Sequence, residues 1–248
     1  MHLDGNRGRS SCNLLTMRTS LEDASRRHKY AALLAMLLVT IAIQSFDARS
    51  GAEGILSDAF RTLLGVAIVV VVFELHRERI AMGVVVAAAI AIAWGRHASG
   101  DLGTTMSIAL SALISLFMWA AVWVILRDLF RKHAVGAESV LGAICGYLIA
   151  GEAWAGLNEI AYLAVPAAYS INPEISSLLS DWHGRHALFS YYAFAQMLTI
   201  GYADVTPARA PATTLSLLGT LFGLFYTAVV VSQFVGLAQR GRRPPDDD

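Results

Sequence analysis

Six apolar runs, at about 30–46, 59–75, 80–95, 104–126, 136–165 and 210–238, leave this chain few ways to fold. A bilayer hydrocarbon core is about 30 Å thick and takes about 20 apolar residues of helix to cross. Backbone polar groups find no water there, so each run must close its hydrogen bonds within itself as a helix. With 56% hydrophobic residues and a mean hydropathy of +0.53, the chain is too apolar for an ordinary soluble domain. The expected class is an all-α membrane protein of six transmembrane helices.

Between the fifth and sixth runs the pattern changes. Pro166 to Asp181 is polar and rich in turn residues, and 186–198 is too short to cross and return. This predicts a re-entrant pore helix followed by a loop, a geometry tolerated at membrane depth only where protein or water covers the backbone. The loop reads Thr199-Ile200-Gly201-Tyr202-Ala203-Asp204. Its composition suits an ion-selectivity filter, in which aligned backbone carbonyls replace the water of a dehydrated cation and a threonine hydroxyl closes the inner end. The competing reading, a glycine-containing turn between two helices, does not require threonine, an aromatic residue and aspartate in that order.

These six residues resemble the Thr-Val-Gly-Tyr-Gly-Asp signature of potassium channels. The likeness extends upstream through Gly146-Tyr147, Trp154-Ala155, Asn158-Glu159 and Pro166, and downstream through Val205-Thr206-Pro207. Over roughly 138–238 the chain resembles the bacterial six-span channels of the two-pore-domain-like (ion-channel 2) family. The resemblance implies K+ bound by Thr199, Ile200, Gly201 and Tyr202, an outer carbonyl from Ala203, and side chains of Ile200 and Tyr202 turned away from the pore. No second filter motif is visible, so four copies of the chain are expected to close the ring as a homotetramer in a lipid bilayer.

Ala203 departs from the family, which has glycine there. A Cβ in a left-handed conformation costs on the order of 1 kcal/mol. A weakly selective monovalent cation channel is therefore an alternative to a K+-selective one. As filter supports, the resemblance points to Asp204, to the aromatic pair Tyr191 and Tyr192, with Tyr191 donating to Asp204, and to Glu159, bonding backbone around the filter strand. The two tyrosines equally suit an interfacial aromatic belt. Ala195 and Leu198 stand where some relatives place Glu and Thr, so those two braces are expected to be missing. Gly223 falls at the family's inner-helix hinge, although glycines here also permit close helix packing.

Glu152 and Glu159 are seven residues apart on one helical face, and intramembrane carboxylates raise a functional question by default. They motivate a rival from another class, a proton-coupled transporter or membrane sensor. Glu152 is expected as a neutral, hydrogen-bonded acid, and His183 and His186 are placed near the mouth.

Cytoplasmic loops retain positive charge. With the N-terminus inside, only Arg49, Arg61, Arg96, Arg185 and Arg209 of the 19 Lys and Arg fall outside. Both termini are then cytoplasmic, the chain is multi-pass in the plasma membrane, and Asp204 faces outward. The expected organisation is a tail at 1–29, a four-helix peripheral domain at 30–133, a pore domain at 134–238 and a short tail at 239–248. The basic run ahead of 30 does not suit a cleaved leader, and either Met1 or Met17 serves as the start. The fourth run holds no Lys or Arg, which argues against a voltage sensor. A net charge of zero gives no basis for nucleic-acid binding, and no cofactor, enzymatic motif or disulfide between Cys12 and Cys145 is expected.

Overall fold

The computed structural model describes residues 30–44, 62–63, 65–68, 103–131, 137–201 and 203–240. Within them lie helices α1 (Tyr30–Gln44), α2 (Thr104–Arg131), α3 (Ala137–Ala164), α4 (Trp182–Met197) and α5 (Ala210–Arg240). Strand β1 (Tyr169–Ile171), a 3-10 helix (Pro173–Ser180) and strand β2 (Val205–Pro207) connect them.

Three stretches, Thr104–Arg131, Glu138–Ala164 and Ala210–Gly236, are long and apolar enough to cross a bilayer. They coincide with the expected fourth, fifth and sixth runs. The first run is present as the shorter apolar helix α1. Of the expected span at 59–75, residues 62–63 and 65–68 are described and helical, whereas the span at 80–95, the tail at 1–29 and residues 241–248 of the tail expected at 239–248 lie outside the described residues.

Small residues set the helix spacing. A Cβ at Gly156 of α3 would overlap Ser115 Oγ of α2 and lie 3.6 Å from the Ser111 carbonyl oxygen, so the two backbones approach closely. That is how helices associate in lipid, where no hydrophobic force draws them together. On the neighbouring face of α3, Gly142 lies against the Tyr30 ring of α1, and the buried Cys145 thiol donates to the Tyr30 carbonyl at 3.5 Å. Trp119 of α2 stands edge-on to Trp154 of α3 and Phe222 of α5, at 5.7 and 5.1 Å between centroids. This aromatic cluster joins the three long helices. Tyr226 of α5 adds a hydrogen bond to the Ala143 carbonyl at 2.6 Å.

The short sheet was not expected from the sequence. β1 and β2 pair antiparallel, with Ser170 opposite Thr206. Three residues a side give too little apolar alternation to register as strands, and the pairing depends on contacts 36 positions apart. The segment after α3 is thus laced to the segment that leads into α5.

Candidate ion pathway

Helix α4, expected from the sequence as a pore helix beginning at 186, starts four residues earlier, at Trp182. Asp181 caps it, its Oδ2 accepting from the Gly184 amide at 3.1 Å. That bond satisfies one of the orphan donors of the first turn. Gly184 is needed because a Cβ there would overlap the Leu178 carbonyl oxygen at the end of the 3-10 helix. The inward face of α4, including Leu188, Phe189, Tyr192, Ala193 and Met197, is buried. Tyr169 and Tyr162 pack on Phe189, and Tyr192 stands edge-on to Tyr169.

The C-terminus of α4 turns directly into the segment expected to form the filter. The amide of Thr199 donates to the Gln196 carbonyl and that of Ile200 to the Ala195 carbonyl, both at 2.9 Å. This pair of bonds is a Schellman cap, which places Thr199 at the left-handed position usually held by glycine. Thr199 has φ 58° and Gly201 φ 67°, while Ile200 between them is not left-handed. A left-handed β-branched residue is a genuine outlier, costing about 1–2 kcal/mol. Strain of that kind collects at functional sites. Left-handed φ occurs among the described residues at Ala167, Thr199 and Gly201. The left-handed torsion at Thr199 was not expected from the sequence. Gly201 is required for its torsion rather than for room, since a Cβ there would meet nothing within 4 Å.

Thr199, Ile200, Gly201 and Ala203 are exposed on the single chain, and Tyr202 lies outside the described residues. The Ile200 side chain lines an apolar groove of about 480 Å³ with Leu38 and Ile41 of α1, Tyr147 of α3 and Phe194 of α4. Beyond the filter segment, Asp204 is held on three sides. Its carbonyl accepts from the Asn172 amide at 2.8 Å, its Oδ1 from Asn172 Nδ2 at 3.4 Å and its Oδ2 from the Tyr191 hydroxyl at 3.4 Å. Tyr192 does not join Tyr191 there; its hydroxyl pairs with Ser216 of α5 at 2.8 Å.

Gly223 of α5 sits under the end of α4. A Cβ would overlap the Met197 carbonyl oxygen and come within 2.7 Å of its Cα. α5 is continuous through this position, so the geometry gives Gly223 a close-packing role. Only 22% of the α5 window is buried against 67% for α3, and Leu217, Leu221, Leu224 and Phe225 stand exposed.

Glu159 departs from expectation. Rather than reaching the backbone around the filter strand, its carboxylate turns to the first half of α4, where Arg185 Nε donates at 2.9 Å and His186 Nδ1 lies at 3.2 Å. The other ring nitrogen of His186 faces Glu152 Oε2 at 3.3 Å, and Ser190 donates to Glu152 Oε1 at 2.9 Å. His186, expected at the mouth, is therefore enclosed between two carboxylates. The sequence held a signal for this cluster: the seven-residue spacing of Glu152 and Glu159, answered on α4 by polar residues at 185, 186 and 190.

Residues 170–240 match the family model described as "Ion channel". No curated protein and no solved structure matches the chain. The matched residues run from β1 through α4 and the expected filter segment to the end of α5. It supports an ion-channel family, and with the three apolar helices it supports a membrane protein that conducts ions.

Proposed function

We propose that the chain is one subunit of a homotetrameric potassium channel that passes K+ down its gradient, with Thr199, Ile200, Gly201, Tyr202 and Ala203 lining the filter. The observation that carries this reading is the left-handed Thr199 and Gly201 on either side of Ile200, directly after a half-helix. Alternating hands turn successive peptide planes so that their carbonyls share one side, as cation coordination requires. The C-terminus of α4 adds its negative dipole end beneath that row. One chain supplies one such strand, and the exposed apolar side of α5 is suited to neighbouring copies and lipid. Asp204 and Tyr191 brace the outer end.

In this assignment 134–238 is the pore domain, 30–133 a peripheral helical domain without a voltage sensor, and both termini are cytoplasmic. Glu152 and Glu159 bond to α4 rather than facing a solute cavity, which favours a channel over a proton-coupled transporter. The test is flux into liposomes holding the purified protein, with K+ or Na+ as the permeant ion. A K+ current blocked by Ba2+ and carried by a four-chain assembly supports the proposal. A reversal potential near zero under biionic conditions replaces it with a weakly selective cation channel, and absence of current removes it.

A further inference from the structure

The two ring nitrogens of His186 each face a carboxylate oxygen, Glu159 Oε2 on one side and Glu152 Oε2 on the other. Each contact needs one hydrogen between nitrogen and oxygen. A neutral imidazole with two ionised carboxylates supplies only one, and would aim a lone pair at a carboxylate on the other side. The arrangement therefore holds one proton more than that state, whether as imidazolium or as a neutral carboxyl.

The surroundings leave the proton a narrow way in. The carboxylate side chains are 6% and 1% exposed and those of His186 and Arg185 13% each, so exchange with bulk water is restricted to the imidazole and guanidinium side of the cluster. From α3, Glu152 and Glu159 face His186. From α4 Arg185 contributes its contact to Glu159, Ser190 its contact to Glu152, and the Trp182 ring stacks on the imidazole at 5.7 Å. His183 follows Trp182, with Asp181 Oδ2 3.8 Å from its Nδ1, at the cap of the same helix.

We propose that Glu152, His186 and Glu159 form a proton-binding site that clamps the pore-loop helix to α3, and that its occupancy regulates conduction. His186 and Ser190 grip α3 one turn apart, and the same helix ends in the strained Thr199. Loss of the proton sets an imidazole lone pair against a carboxylate and loosens the seat of α4. Conduction is highest on the acidic side. The conduction half of this proposal rests on the channel reading above; the proton half does not.

Glu152→Gln separates the two states without removing volume. A glutamine amide donates to the imidazole, so the extra proton is no longer required. The full-length protein in detergent is melted across about pH 5 to 8, the interval in which histidine changes charge, and the same preparations are assayed for K+ flux in liposomes. The expected result is that the wild type loses thermal stability relative to Glu152→Gln as pH rises, and that its flux falls with pH while that of the variant stays level. His186→Gln, which has no titrating ring, is expected to match the variant's flat melting profile. A stability difference that does not change with pH overturns the proton site. A changing stability difference with identical flux profiles overturns the regulatory role. If no preparation carries current at any pH, the channel reading fails while the melting curves still decide whether the proton is bound.

Discussion

Replacing Gly223 by alanine sets two effects of opposite sign against each other. Alanine favours helix over glycine by about 1 kcal/mol, so at an open position the change stabilises. At Gly223 the new methyl would overlap the Met197 carbonyl oxygen and lie 2.7 and 2.8 Å from the Met197 Cα and carbonyl carbon. All three atoms are backbone and none can rotate away, so α5 must retreat from the end of α4 by several tenths of an ångström or more. Overpacking of this kind costs about 1–3 kcal/mol, and the clash outweighs the propensity gain. Met197 lies two residues before Thr199, so the displacement reaches the proposed filter. Gly236 supplies the control, since a Cβ there meets nothing within 4 Å. Melting temperature and K+ flux are compared for wild type, Gly223→Ala and Gly236→Ala. Gly223→Ala is expected to melt lower and conduct less, with Gly236→Ala equal to wild type or slightly more stable. A Gly223→Ala protein as stable as wild type but altered in its opening would refute the packing argument in favour of a hinge.

Gly201→Ala places a Cβ at φ 67° in open space; the expected outcome is intact assembly, a torsional cost of about 1 kcal/mol per subunit and loss of K+ flux in liposomes. Arg185→Gln removes a charged partner from Glu159, which is fully buried, and should destabilise by about 3 kcal/mol, read as a drop in melting temperature that Glu159→Gln partly restores. Tyr169→Phe deletes the 2.7 Å hydrogen bond to the buried Asn158 Oδ1 and should cost about 1–3 kcal/mol. Burial, with Tyr192 adding to it, holds the Tyr169 phenol above the ordinary tyrosine range. The native state thus favours its protonated form, so its contribution is whole below about pH 10 and is lost as pH rises beyond. The variant's melting curve should be flatter than wild type over that alkaline interval.

The long helices were legible because a lipid-facing segment must be apolar along its whole length, and Thr104–Arg131 and Ala210–Gly236 are. The short helix ahead of Thr199 was legible for a different reason: a stretch too short to span stands between two long apolar runs. Torsion was harder to read. The cap that ends α4 puts a left-handed residue at Thr199, and a β-branched residue gives no sequence signal for that torsion. The partners of Glu159 were missed because Arg185 and His186 lie 26 and 27 positions away, beyond any helical period. Strands β1 and β2 were missed likewise, three residues each being too short to show alternation.

The ribbon formed by those strands fixes which insertions the outer rim can absorb. Asn172 and Ala168 hold the chain on either side of β2 through the Asp204 carbonyl and the amides of Ala208 and Arg209. Extra residues within 174–180 would lengthen an exposed arch and leave both anchors in place. A single extra residue between Asp204 and Val205 would shift every rung by one and present the wrong edge to Tyr169, carrying the filter out of line with it. Variation in length at this rim is therefore expected on the approach to α4 and not on the departure from the filter.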